Sequence, residues 1–285
     1  MKQSALFRRA LRAEQKGNRQ AYNLWDRFRS HRERVTAEIL ALAPNADAAG
    51  GGRLAVLGAG NANDLDLEAL STRFDEIHLV DIDPAAVAAA IERQDPAVKG
   101  KLRSHAPVDL SGLYHQLGRP NWPAADAMVA EGTAKVLQQL PSNFDVVASC
   151  CVASQMSWAL ANFVSGGGQG LPMLEQALLR IHLRTLLRLI RPGGSALLVS
   201  DLTSSLFFPL GALQPGDDLR RLVAALAAER RAYTVTNPEL VQYVLGGDPE
   251  LAATCQPPTL GEPWLWCGPK NLTYLVYPFV LRRRT

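Results

Sequence analysis

The chain has 285 residues, 47% of them hydrophobic and 20% charged, with a formal net charge of +3. That supplies one large core, or a core with a modest second lobe, and excludes overall disorder. No apolar run approaches the roughly 18 residues of a membrane span and the opening residues lack a secretory apolar stretch, so a soluble cytoplasmic protein without membrane contact is expected. The charge is uneven. Residues 1–43 hold ten Lys or Arg against four acids, which reads either as a solvated helix face or as a contact for RNA or an acidic substrate.

From Arg19 to Ala43 the sequence has helical spacing, with Leu24, Phe28, Val35, Ile39 and Leu42 on one stripe before Pro44. Tyr22, Trp25, Arg29, Arg32 and Thr36 lie about a quarter turn away, an aromatic and cationic face suited to lining a lid. Asn45–Gly52 reads as a linker. Residues 1–50 are therefore expected to form a helical lid and 51–285 the main domain.

That domain opens with Leu54–Leu57, a strand, followed by the glycine turn Gly58-Ala59-Gly60 and then Ile77–Val80, a second strand ending at Asp81. Glycines let a ligand approach the backbone, and a carboxylate about 20 residues on can accept from a ribose diol, so an adenosine-containing cofactor is expected. Further strands are predicted at Leu102–His105, Val146–Ser149 and Ala196–Ser200, with helices at Ala85–Arg93 and Leu174–Ile190 between them. This alternation implies an α/β, doubly wound, mostly parallel sheet. After Asp201 the pattern loosens into an insertion at about 202–263, and Trp264–Cys267 and Thr273–Leu281 read as closing strands, Pro278 marking an edge or bulge.

The succession LAVLGAGNAND, HLVDID, VDLSG, FDVVASCCVASQM and LIRPGGSALLVSD, between Leu54 and Asp201, resembles the class I, Rossmann-like methyltransferases that use S-adenosylmethionine. The resemblance covers about half the chain and implies a seven-stranded sheet. It implies that Gly58, Ala59 and Gly60 pass beneath the methionine part and that Asp81 holds the ribose. It also implies that Ile82 lies against adenine, that Asp109 accepts from the adenine amino group, and that Ser149 and Cys150 border the transfer site. Two positions depart from the family pattern: Val56 replaces an acid and Ala62 the third glycine. Asp64 is the candidate anchor for the methionine ammonium, with a helix cap as its alternative; Asp66 is better placed as a cap.

Methyl transfer runs largely on proximity and orientation, so no strong catalytic signature is required. Ser154 and Gln155 are candidate acceptor contacts or helix caps, and His105 is a weak candidate base. Cys150 and Cys151 read as packing groups before nucleophiles. Neither the four cysteines nor the five histidines have metal-ligand spacing, so no metal is expected. Residues 164–170, rich in glycine, read as a gate or an ordinary loop, flanked by Trp158 and Phe163, while Phe207, Phe208, Tyr233 and Tyr243 of the insertion read as core.

The expectation is an O- or N-methyltransferase for a small molecule, with Tyr22, Trp25 and Arg29 closing the site and the arginines favouring an anionic acceptor. Methylation of RNA or protein through the basic helix is the second reading, and a non-catalytic adenosine-cofactor module the third. A nicotinamide oxidoreductase has less support.

Overall fold

The computed structural model describes residues 4–44, 51–117, 122–163, 170–214 and 216–285. Two helices come first, α1 (Ala5–Ala21) and α2 (Arg29–Ala41). The alternating part follows as β1 (Gly52–Leu57), α3 (Leu67–Ser71), β2 (Phe74–Val80), α4 (Pro84–Glu92), α5 (Pro96–Lys99) and β3 (Leu102–His105). It continues with α6 (Ala125–Leu137), β4 (Phe144–Cys150), α7 (Val152–Phe163), α8 (Leu171–Leu189) and β5 (Ile190–Ser204). The late segment holds α9 (Leu219–Ala228), α10 (Pro238–Gly247), α11 (Pro249–Thr254), then β6 (Thr259–Leu260), β7 (Trp264–Cys267) and β8 (Thr273–Arg282).

The sheet runs β3-β2-β1-β4-β5-β8-β6, with β7 paired to β8 beside β6. The first five strands are parallel and β8 is antiparallel to β5. This is the Rossmann-like arrangement expected, with one short strand more than seven because 264–267 forms its own hairpin arm on β8. Alternation along the strands feeds two apolar layers. Ala55, Leu57, Val147 and Leu198 face Met128, Leu160 and Leu178. Leu54, Val56, Val146 and Leu197 face Val35, Ile39, Leu70 and Val87. Val56, the position that departs from the family pattern, is thus a core residue on the layer that α2 covers.

Local signals set the helix starts. Ser4 caps α1, Asp66 caps α3, Asp83 followed by Pro84 starts α4, and Asp248 followed by Pro249 starts α11. Two expectations are corrected. The helix predicted over Arg19–Ala43 is two helices separated by a turn at residues 22–28. Arg32 Nη1 donates to Trp25 O at 2.7 Å and to Asn63 O at 3.3 Å, a tertiary tether that no local residue announces. Pro278 lies inside β8 rather than at an edge. Its carbonyl accepts from Gly261 N, so its missing N–H points to the same side, beyond the two residues of β6, where it interrupts no pairing with β5.

Candidate functional site

Strand order reverses between β1 and β4, and the crevice at the carboxyl ends of the strands there is the expected binding position in such a sheet. Two connected spaces lie at that place. A slot of about 40 Å³ is lined by Glu14, Gly58, Asp81, Ile82, Val108, Asp109, Leu110, Tyr114 and Gln155. A cavity of about 440 Å³ shares Glu14, Gly58, Asp81 and Gln155 with it and extends across Asn61, Asp64, Cys151, Ser154 and Asp201.

The turn after β1 is held from β2. Gly58 and Gly60 have φ of +76° and +46°, which glycine reaches without strain. Gly60 N donates to Asp81 Oδ2 at 2.8 Å, and Asp83 N donates to Asp81 Oδ1 at the same distance. Burial pushes the Asp81 carboxyl up to about 6, against the lowering effect of those backbone donors. Ala59 and Gly60 line the cavity beside it. Ala62 adopts φ +53°, so the alanine at the third-glycine position takes the left-handed turn at some strain.

Asp109 is turned inward on its own loop, accepting from Ser111 N at 3.0 Å, from the Ser111 hydroxyl and from Tyr114 N. It borders the slot while ordering the segment after β3. Asp64 is not a helix cap, that role belonging to Asp66, whose carboxylate accepts from Ala69 N. Asp64 lines the cavity, and its buried Oδ1 has no hydrogen-bond partner. Burial pushes this carboxyl up to about 7, with Arg32 opposing. His31 Nε2 lies 3.8 Å from that oxygen. The donor-only Trp264 indole bonds His31 Nδ1 at 3.0 Å, which puts the ring proton on Nε2, facing Asp64.

Several expected site residues stand elsewhere. Ser149 and Cys150 do not reach the cavity: Ser149 points into the helix layer, 2.8 Å from His182 Nε2, and Cys150 packs in the opposite layer. The chain turns into the crevice one residue later, at Cys151, whose φ is +51°. Burial pushes both thiols up, which disfavours a thiolate. His105 stacks on His78 along the sheet edge, Nε2 to Nδ1 2.8 Å, away from the crevice, so it is not placed as a base.

The lid face is also corrected. Tyr22, Trp25 and Arg29 do not line the cavity. Arg32 lies 3.5 Å over the Trp25 ring, Arg93 sits over Tyr22, and Arg29 pairs with Asp26 at the surface. The arginines grip the outside of the glycine turn, because its carbonyls at Asn61 and Asn63 point that way. What the N-terminal segment presents inward is Glu14, Gly17, Asn18, Gln20 and Ala21 of α1, and Phe28. Asn18 donates to Asp83 at 3.0 Å, and Asn61 and Asn63 donate to the carbonyls of Asn18 and Ala21. Glu14 faces Asp81 and Asp83, and burial foremost, then their repulsion, pushes its carboxyl up to about 7.

The other end of the cavity rests on β5 and the late segment. Ser154 donates to Asp201 Oδ1 at 2.6 Å, and Gln155 lines both spaces. Asp201 is 6% exposed, sits beside the irregularity in the β5–β8 register, and is pushed up to about 7 by burial, with the Ser154 bond opposing. Phe207 and Tyr233, expected in the core, line the cavity with Trp158, Trp266 and Tyr274. Phe208 does pack against the core, while Tyr243 is exposed. The glycine-rich stretch at 164–169 lies outside the described residues. Glu14, Asn18 and Asp201 are the residues that sequence reasoning missed; Asp201 ends the fifth motif, and its place just past a predicted strand was the available signal.

No family model and no curated protein matches the chain. Among solved structures it is similar to a possible exported protein from Bordetella parapertussis, at 12% identity over 90% of this chain and 68% of the other, with a TM-score of 0.48. It is likewise similar to YcgJ from Bacillus subtilis, at 12% identity over 90% and 100% of the two chains, TM-score 0.47. An arsenic(III) S-adenosylmethionine methyltransferase from Chlamydomonas reinhardtii is similar at 16% identity over 90% and 73%, TM-score 0.40. These are likenesses of chain path, and the Rossmann-like assignment stands on the strand order itself.

Proposed function

We propose that the chain is an S-adenosylmethionine-dependent methyltransferase acting on nitrogen or oxygen of a small molecule. The observation that carries this reading is the Gly58–Gly60 turn bonded to Asp81 at the reversal of strand order, opening on the slot and the cavity. The residues fit such a cofactor. Asp81 accepts the ribose hydroxyls, Ile82, Val108 and Leu110 flank the adenine, and the carboxylate of Asp64 on the cavity wall takes the methionine ammonium in place of the acid absent at Val56. When bound, the cofactor supplies an electrophilic methyl group on a sulfonium. The protein's part is to hold the acceptor in line and exclude water.

At about 40 Å³ the slot as it stands admits only a few waters, and on this reading its cover shifts when adenine binds. The cover is α1, pinned by Phe7 against Tyr114 and by Ser4 on Tyr114 O. On this reading residues 1–50 are a lid whose working face is Glu14 and Asn18.

Titration calorimetry with S-adenosylhomocysteine and, separately, NADH tests the assignment. Wild-type protein is expected to bind the former alone, and Asp81→Ala to lose about 100-fold in affinity, the worth of hydrogen bonds from two hydroxyls to a carboxylate. Binding of NADH in preference, or of neither, removes the proposal.

A further inference from the structure

The charge of the cavity wall has one sign. Among the described residues that line it, none is Lys or Arg, whereas Glu14, Asp64, Asp81 and Asp201 all reach it. Three of these lie over the ends of β1 and β2, where the cofactor is placed. Asp201 stands apart on β5, fixed by Ser154, with the ring of Phe207 set edge-on to Tyr233 at 5.7 Å beside it. The Tyr233 hydroxyl is spent on Ser204 Oγ at 3.0 Å, so that residue offers the cavity an aromatic surface rather than a donor. Phe207 is 55% exposed and Trp158 52%, two large apolar rings left at one mouth. Such grouped exposure marks a binding surface more than a solvated one.

We propose that the acceptor is a small organic amine, bound as its ammonium, with N–H donated to Asp201 and its hydrocarbon part against Phe207, Tyr233 and Trp158. An anion here would find four acids and no cation among the described lining, whereas an ammonium beside Asp201 favours its ionised form over the neutral one that burial promotes. A cation gains from both the acid and the ring faces. The same carboxylate can receive the ammonium proton: one N–H bond breaks, one O–H bond forms, and the electron pair stays on nitrogen. The raised proton affinity of Asp201 from burial is in the right direction for that exchange. The adjoining pocket of about 480 Å³, which shares Ser154, Trp158, Phe207 and Tyr233, leaves room for the rest of a small molecule. Glu175, Arg230 and Arg231 line that pocket and not the cavity, so its charge is mixed where the cavity's is not.

This inference rests on the methyltransferase reading for its purpose but not for its test. Calorimetry on the full chain, without cofactor, compares benzylamine, benzyl alcohol and benzoate, which share a shape and differ in charge. Benzylamine is expected to bind at least about tenfold more tightly than the other two, as a buried charge-assisted hydrogen bond requires. Asp201→Asn is expected to remove that preference, and Phe207→Ala, at an exposed position that leaves folding intact, to weaken benzylamine about threefold to tenfold. Arg29→Ala, outside the cavity, leaves all three unchanged. A lysine side chain carries the same ammonium, and Nα-acetyllysine methylamide represents it in the titration. Tighter binding of that amide than of benzylamine overturns the small-molecule assignment, and equal or absent binding of benzylamine and benzoate overturns the whole inference. S-adenosylhomocysteine titrated into the same samples separates the two claims: its failure to bind strikes the methyltransferase reading and leaves an amine preference standing.

Discussion

The two ends of the crevice are built from different materials. Over β1 and β2 the wall is largely backbone, a turn whose Gly60 amide donates to Asp81, whose Gly58 and Ala59 amides donate to Val80 O, and whose carbonyls are gripped from outside by Arg32 and Arg93. Over β4 and β5 the wall is side chain, with Asp201 and Phe207, Tyr233, and Trp266 brought from three separate stretches. A backbone wall can hold one kind of ligand in one place and tolerates little change, because the amides of Gly58, Ala59, Gly60 and Ala62 are tied to their neighbours. A side-chain wall can be altered residue by residue while the sheet stays intact, which is where differences in acceptor belong.

The sharpest way to break this contrast is Gly58→Ala. At φ +76° a side chain is strained, and the new Cβ would stand 2.7 Å from Val152 Cβ. Strain of about 1–2 kcal/mol and overpacking of about 1–3 kcal/mol predict a loss of about 2–5 kcal/mol in urea unfolding. A loss under about 0.5 kcal/mol would show that the turn yields, and the rigid side of the comparison would go with it. Next in size is the response to pH. Glu14 is raised from its ordinary value to about 7, so the folded chain keeps a proton that the unfolded chain gives up, and stability falls as pH rises through roughly 4.5 to 7. Asp64, Asp81 and Asp201 shift in the same direction and steepen the fall. Glu14→Gln is expected to flatten the pH series by about 1–3 kcal/mol, and an unchanged slope would show that α1 does not press its acid onto Asp81.

The same division governs what could be read in advance. The glycine turn and Asp81 were legible because each backbone requirement falls on one residue at a fixed spacing. Of the five parallel strands, β1, β2, β4 and β5 were legible because burial on both faces leaves continuous apolar runs, whereas β3 at the sheet edge has none. Helix α1 was not, since it buries only Phe7 and Ala10 and is held by Asn18, Asn61 and Asn63, a pairing across more than 40 positions. Strand β4 runs one residue past its predicted end, so Ser149 and Cys150 stay in its two opposite layers and the crevice is first reached at Cys151. Phe207 and Tyr233 carried no sign distinguishing a cavity wall from a core.

Trp25→Ala asks whether the clamp outside the turn is structural. Arg32 stacked on the ring predicts a loss of about 1 kcal/mol in stability. Affinity for S-adenosylhomocysteine should stay within about threefold, because the clamp faces away from the cavity. A tenfold fall in turnover with stability intact would return Trp25 to the lid and move the boundary between the two walls.

The smallest effect is expected at Ala62, and its size decides whether the missing third glycine weakens the site. Ala62→Gly relieves left-handed strain of about 1–2 kcal/mol. Against that stand a lost buried methyl, about 0.8 kcal/mol, and the greater freedom of glycine in the unfolded chain, about 0.4–1 kcal/mol. The sums nearly cancel, so stability should change by less than about 1 kcal/mol. Because Ala62 N already donates to Ala59 O at 2.7 Å in the conformation glycine would take, cofactor affinity should not change either. A large gain in affinity for Ala62→Gly would mean that the methyl itself distorts the turn, and the backbone wall would then be less finished than its hydrogen bonds imply.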